Sequence, residues 1–181
     1  YRLSGEAHFP AAIQDVKTSI RWLRSRSAEF GIDRARAVIW GGSAGGQLAA
    51  LAATSCGLDS LDAVDPKSPI APESDCVQGL VAWYGVFDFA TAPLSGTQAQ
   101  STESPVSRYL GCAPATCGAT ASLASPITHI NSSTPSTLLI HGELDKVVPV
   151  AQSRAFYSAL RSNDVAAELL VIPMVDHSFI G

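Results

Sequence analysis

The chain has 181 residues, 46% of them apolar and 15% charged, with 12 basic against 16 acidic side chains. That length points to one domain, or to part of a larger one, and is enough to bury roughly 70% of the unfolded chain's surface. A positive mean hydropathy and few charges exclude a disordered tail or a coiled coil. The net charge of −4 excludes a nucleic-acid partner, because phosphate-backbone affinity rests on clustered Lys and Arg. No apolar run approaches the length of a membrane span, about 18 residues or more.

Taken in chain order, residues 1–3 read as the end of a strand. Residues 9–30 carry Ile13, Val16, Ile20 and Leu23 at helical spacing, with Pro10 in the first turn and Gly31 as the stop. Residues 37–40 form a short apolar strand, followed by the glycine cluster 41–46 and a helix over 44–54. A loop rich in Asp, Ser and Pro spans 55–76. Buried strands are predicted at 79–84, 137–141 and 167–172, with a helix over 150–161 between the last two. Residues 86–134 break this rhythm and are predicted to be an insertion over one sheet edge and the active site, with at least one short helix. Apolar strands alternating with helices imply an α/β fold, a parallel sheet with helices on both faces. Trp22, Trp40 and Trp83 are assigned to the core.

One motif carries chemistry. Residues Gly41-Gly42-Ser43-Ala44-Gly45 fit G-x-S-x-G between a strand and a helix, the context of a nucleophile elbow. Such a serine sits in a strained turn with positive φ, and Gly41 and Gly45 are expected to remove side chains that would strike neighbouring backbone. The helix N-terminus then faces a developing oxyanion, with the Ala44 amide as a donor. A Walker A loop is excluded because Gln47 and Leu48 follow Gly46, and no glycine triple fits a dinucleotide fingerprint.

A serine needs a base and an orienting acid. Of the four histidines, His177 follows the last strand, whereas His141 ends a strand and is predicted to be structural; His8 and His129 are assigned to surface or packing roles. Asp145, in the loop after the strand ending at His141, is the first candidate acid. Asp88 is the runner-up, and Asp176 is too close in sequence to face the imidazole of His177.

The four cysteines allow three pairings. All lie in predicted loops, and the local pairing Cys56–Cys76 with Cys112–Cys117 is favoured over free thiols. Their spacing does not suit zinc. Oxidised pairs would place the protein in an extracellular or periplasmic setting.

Taken with residues 1–4 and 9–12, the elbow, His141-Gly142-Glu143-Leu144-Asp145 and Asp176-His177-Ser178-Phe179 resemble α/β-hydrolase carboxylesterases near the hormone-sensitive-lipase and feruloyl-esterase-like groups. The resemblance runs essentially end to end. It implies a serine carboxylesterase acting without cofactor on small or aromatic acyl esters, with Ser43 as nucleophile, Asp145 as orienting acid, His177 as base and Ala44 as oxyanion donor. It also implies that the His-Gly-Gly loop, the first strands and a final helix belong outside these residues. The chain is therefore expected to be truncated at both ends, feeble alone and able to self-associate through the edge strand containing Val38. A serine peptidase of the same fold and a non-catalytic binding relative are the competing readings.

Overall fold

The computed structural model describes residues 1–90 and 104–179, so the predicted insertion at 86–134 falls partly outside the described residues. The first apolar stripe forms α1 (Ala11–Ser25), which buries Ala12 and Ile13. The predicted helix then breaks, and a second short helix, α2 (Ser27–Phe30), ends on Gly31 in the left-handed conformation at φ 64°. Residues 1–3 are not a strand. The Leu3 carbonyl accepts the amides of Glu6 and Ala7 in a turn, and Arg2 is clasped to Asp15 of α1.

Four strands, β1 (Val38–Gly42), β2 (Gly79–Trp83), β3 (Ser136–Gly142) and β4 (Ala167–Ile172), lie parallel in the order β1-β2-β3-β4. Their register pairs Gly42 with Trp83, Trp83 with Ile140 and Gly142 with Ile172, so the carboxyl ends finish along one rim. In open α/β sheets that rim is where ligands bind. The loops leaving it carry Ser43, Tyr84, Asp145 and His177.

Helices α3 (Ala44–Thr54) and α6 (Ala151–Ser162) supply the core. Ala49, Ala50 and Ala53 of α3 and Phe156 and Leu160 of α6 meet Leu80, Ala82 and Leu139 of the sheet. Phe87 stacks on Phe156 with ring centroids 4.6 Å apart. Ile13 of α1 joins Leu48, Leu51 and Ala52 on the far side of α3. Two further α-helices among the described residues, α4 (Pro105–Leu110) and α5 (Gly118–Ala124), bury Leu110, Ala121 and Ala124 with Phe89.

The α/β class and parallel sheet are as the sequence implies. Of the helices expected over both faces, α3 and α6 pack on the face bearing Ile39, Leu80 and Leu139, with α1 stacked behind α3. Strand side chains alternate between faces. Val38, Trp40 and Leu170 therefore fall on the opposite face, where they are 68%, 63% and 53% exposed. Two tryptophans assigned to the core are consequently at the surface. Trp40 is carried to the open face by that alternation, and Trp22 lies on the outer side of α1 against Phe30.

The loop after α3 is fastened by the Cys56–Cys76 disulfide and carries Asp75 onto α1. Lys17, fully buried, reaches the Asp75 carboxylate at 2.9 Å and the Ser55 carbonyl at 2.6 Å. Arg21, one turn along, pairs with Asp62 and approaches Asp75. Burial opposes ionisation of Asp75, but the Lys17 ammonium together with backbone amides, that of Gly57 among them, outweighs it and the carboxyl is held below its ordinary value. Removing one member of a buried pair strands the other charge. Asp75→Ala should cost about 3–5 kcal/mol in urea denaturation, whereas the apolar double substitution Lys17→Met with Asp75→Leu should recover most of that loss.

Candidate active site

The site begins with a chain reversal between β1 and α3. Ser43 occupies φ 55°, ψ −121°, a conformation rare for residues with side chains, and its amide donates to the Trp83 carbonyl at 2.9 Å. A side chain on Gly41 would run into the Gly45 carbonyl, so the first glycine of the motif is sterically required. The expected reason for Gly45 does not hold, because a Cβ there would meet nothing within 4 Å. It is the carbonyl of Gly45, not its Cα substituent, that crosses Gly41. The second crowded position is Gly46, whose Cβ would lie 2.7 Å from the Trp83 carbonyl. Ala44 opens α3, and first-turn amides have no partner within their helix.

His177 follows β4 and places Nε2 3.0 Å from Ser43 Oγ and Nδ1 2.7 Å from Asp145 Oδ2. The other carboxylate oxygen, Oδ1, accepts the amides of Val147 at 2.9 Å and Val148 at 2.8 Å. All three residues chosen from the sequence are thus brought into one hydrogen-bonded line. Asp176 does not join it. Its carboxylate accepts the amides of Lys146 and His177 at 3.0 and 2.7 Å and pairs with Lys146 Nζ at 2.9 Å. Led by the Lys146 amide, these contacts hold its carboxyl down at about 2. Asp88 takes the Ala90 amide at 2.8 Å, His8 lies 2.7 Å from the Arg108 carbonyl and His129 lies 2.8 Å from the Leu123 carbonyl.

His141 is buried, as its strand-end position implied, but it also touches the line. Nδ1 is 2.7 Å from Ser153 Oγ, and Nε2 is 2.9 Å from the Val148 carbonyl and 3.2 Å from Asp145 Oδ2. Burial lowers its pKa and favours the neutral ring. The two acceptors around Nε2 then require its N–H there, leaving Nδ1 to accept from Ser153. The sequence signal for this support was available in the four-residue spacing from His141 to Asp145.

A cavity of about 540 Å³ opens beside Ser43 and Ala44, with Leu48, Val86, Phe89, Val106, Tyr109 and Val147 in its walls. Burial raises the pKa of Tyr109 and keeps the phenol neutral. The cysteines form the expected pairs, Cys56–Cys76 and Cys112–Cys117. Among the described residues, no group of three or more His, Cys, Asp and Glu side chains is placed to hold a metal, and no helix is long and apolar enough to cross a membrane.

The BD-FAE family matches residues 1–160. The chain belongs to the BD-FAE family. Esterase LipQ of Mycobacterium tuberculosis is 38% identical across 99% of the chain, and probable carboxylic ester hydrolase LipM of the same organism is 36% identical across 99%. The chain spans about two-fifths of the length of these relatives, 41% and 40% respectively. A solved structure described as a truncated form of carbohydrate esterase from gut microbiota superposes with a TM-score of 0.88 and 31% identity, covering 99% of this chain and 65% of that one. These likenesses give the BD-FAE chain an α/β-hydrolase-type sheet, in which the rim of strand carboxyl ends carries Ser43 and His177.

The neutral, buried imidazole of His141 has a consequence for stability. Its pKa is depressed in the folded state, so its contribution is present above the ordinary value of 6.5 and is lost as pH falls from there toward the folded value. Calorimetric melting temperatures should fall between about pH 7 and pH 5.5. His141→Gln should melt lower at pH 7 but with a shallower dependence over that interval.

Proposed function

We propose that the protein is a serine carboxylesterase hydrolysing small or aromatic acyl esters through an acyl-enzyme. The observation that carries this reading is the unbroken line from Asp145 to His177 to Ser43, with contacts of 2.7 and 3.0 Å. His177 Nε2 takes the proton of the Ser43 hydroxyl as Oγ attacks the ester carbonyl. Asp145 accepts from Nδ1–H, which fixes the tautomer with a bare Nε2 and stabilises the imidazolium that forms. The carbonyl oxygen becomes an oxyanion at the start of α3, where the Ala44 amide is one donor. His177 then returns the proton to the departing alcohol, and a water deprotonated by the same ring releases the acid.

The cavity beside Ser43 supports the substrate class, since its aliphatic and aromatic walls suit an apolar acyl or alcohol group better than a peptide chain of mixed polarity. The similarity to esterase LipQ and to the gut carbohydrate esterase supports ester chemistry over peptide cleavage. The two disulfides support an extracellular or periplasmic location.

Ser43→Ala should abolish p-nitrophenyl acetate hydrolysis and fluorophosphonate labelling while leaving the melting temperature within a few degrees. Hydrolysis retained in that variant would remove Ser43 from the mechanism. Labelling of the parent protein with cleavage of peptides but not esters would favour the peptidase reading. A parent protein that neither labels nor turns over would favour a binding role.

A further inference from the structure

Tyr84, the residue after β2, is absorbed by neither the motif nor the proposed triad, yet four observations converge on it. Its backbone holds φ 36°, a left-handed value that a bulky side chain adopts only when its surroundings impose it. Its amide donates to the Ile140 carbonyl at 2.9 Å, continuing the strand pairing and fixing the residue where the loop departs. Its ring meets the His177 imidazole edge-on, centroids 4.7 Å apart and planes at 66°. Its hydroxyl lies over Gly42, where an added Cβ would approach it to 3.0 Å. Glycine beside Ser43 thus leaves the room the phenol occupies.

The His177 loop needs such a brace. Ser178 and Phe179 also have left-handed backbones, at φ 59° and 58°, so within the described residues His177 sits on an irregular turn and not in a regular helix or strand. Phe179 meets Tyr84 and Trp83 edge-on, with centroids 4.7 Å and 5.2 Å apart, and so buttresses the Tyr84 ring that faces the imidazole. Asp145 and Ser43 each fix one nitrogen of His177, but two in-line hydrogen bonds leave the ring free to rock about the axis joining them.

We propose that Tyr84 is a positioning residue that sets the tilt of the His177 imidazole through its ring, with the hydroxyl dispensable. The proposal rests on His177 serving as the base toward Ser43. A ring displaced by a fraction of an ångström loses proton-transfer geometry without losing the apolar cavity, which lies along α3 and α4. The effect should therefore fall on kcat and spare KM.

The test compares Tyr84→Phe, Tyr84→Leu and Tyr84→Ala with Ser43→Ala in the protein, using p-nitrophenyl acetate kinetics and thermal melts. Tyr84→Leu and Tyr84→Ala should lower kcat by about tenfold to a hundredfold with KM within about threefold, and Tyr84→Phe should stay within about twofold of the parent. Leu keeps apolar bulk, so a kcat loss in Leu with a melting temperature near that of the parent separates ring positioning from misfolding. Two results would overturn the proposal: Tyr84→Leu with parental kcat, or Tyr84→Phe as impaired as Tyr84→Ala. If Ser43→Ala retained the parent's turnover, the esterase mechanism itself would fail, whatever the Tyr84 variants did.

Discussion

Everything at this site depends on how closely the start of a helix is forced against the end of a strand. The Gly45 carbonyl passes so near Gly41 that a methyl group could not stand between them, and Gly46 sits against the Trp83 carbonyl. That approach lets β1 turn into α3 at a single residue, Ser43. The cost is a serine in a strained backbone conformation, of order 1–3 kcal/mol, offset by the Trp83 carbonyl that receives its amide and by the buried α3 behind it. Five of the eleven residues of α3 are alanine, and Ala49, Ala50 and Ala53 let the helix lie close on the sheet while Leu48 and Leu51 fill the space toward α1.

The second part of the site is assembled from loops, which are weaker scaffolds than strands and need more fastening. Asp145 is held at one oxygen by two amides and approached at the other by two imidazoles, so the carboxylate has little room to turn. Asp176 stitches the loop bearing Asp145 to the loop bearing His177 through backbone amides on both sides. Its ion pair with Lys146 is exposed and adds little, since water screens it. The amide contacts matter more because they set where two backbones lie relative to each other.

Much of this was legible before any coordinates. The elbow motif lies between a predicted strand and a predicted helix, and the apolar runs at 79–84, 137–141 and 167–172 foreshadow β2, β3 and β4 to within a residue at each end. Asp145 and His177 could be chosen because chain order and strand ends narrow the options. What could not be read depends on distant neighbours. Gly45 looked sterically required and is not, because only the built turn reveals which atom of that residue crosses Gly41. Trp40 looked like core because a tryptophan in an apolar strand usually is, but sequence does not say which face of a sheet is covered. Tyr84 carried no motif, and its importance follows from a left-handed backbone and a partner ring far along the chain.

The unequal treatment of the two sheet faces has a practical corollary. Among the described residues, Val38 and Trp40 on β1 and Leu170 on β4, the two outer strands, stand exposed on the face opposite the filled interior. Where such groups form a contiguous patch, they favour association between protein molecules. For a preparation of these residues, colloidal behaviour and thermal unfolding are then separate quantities. Crowding a sample, or adding a salting-out anion, would test that face long before heat tests the interior.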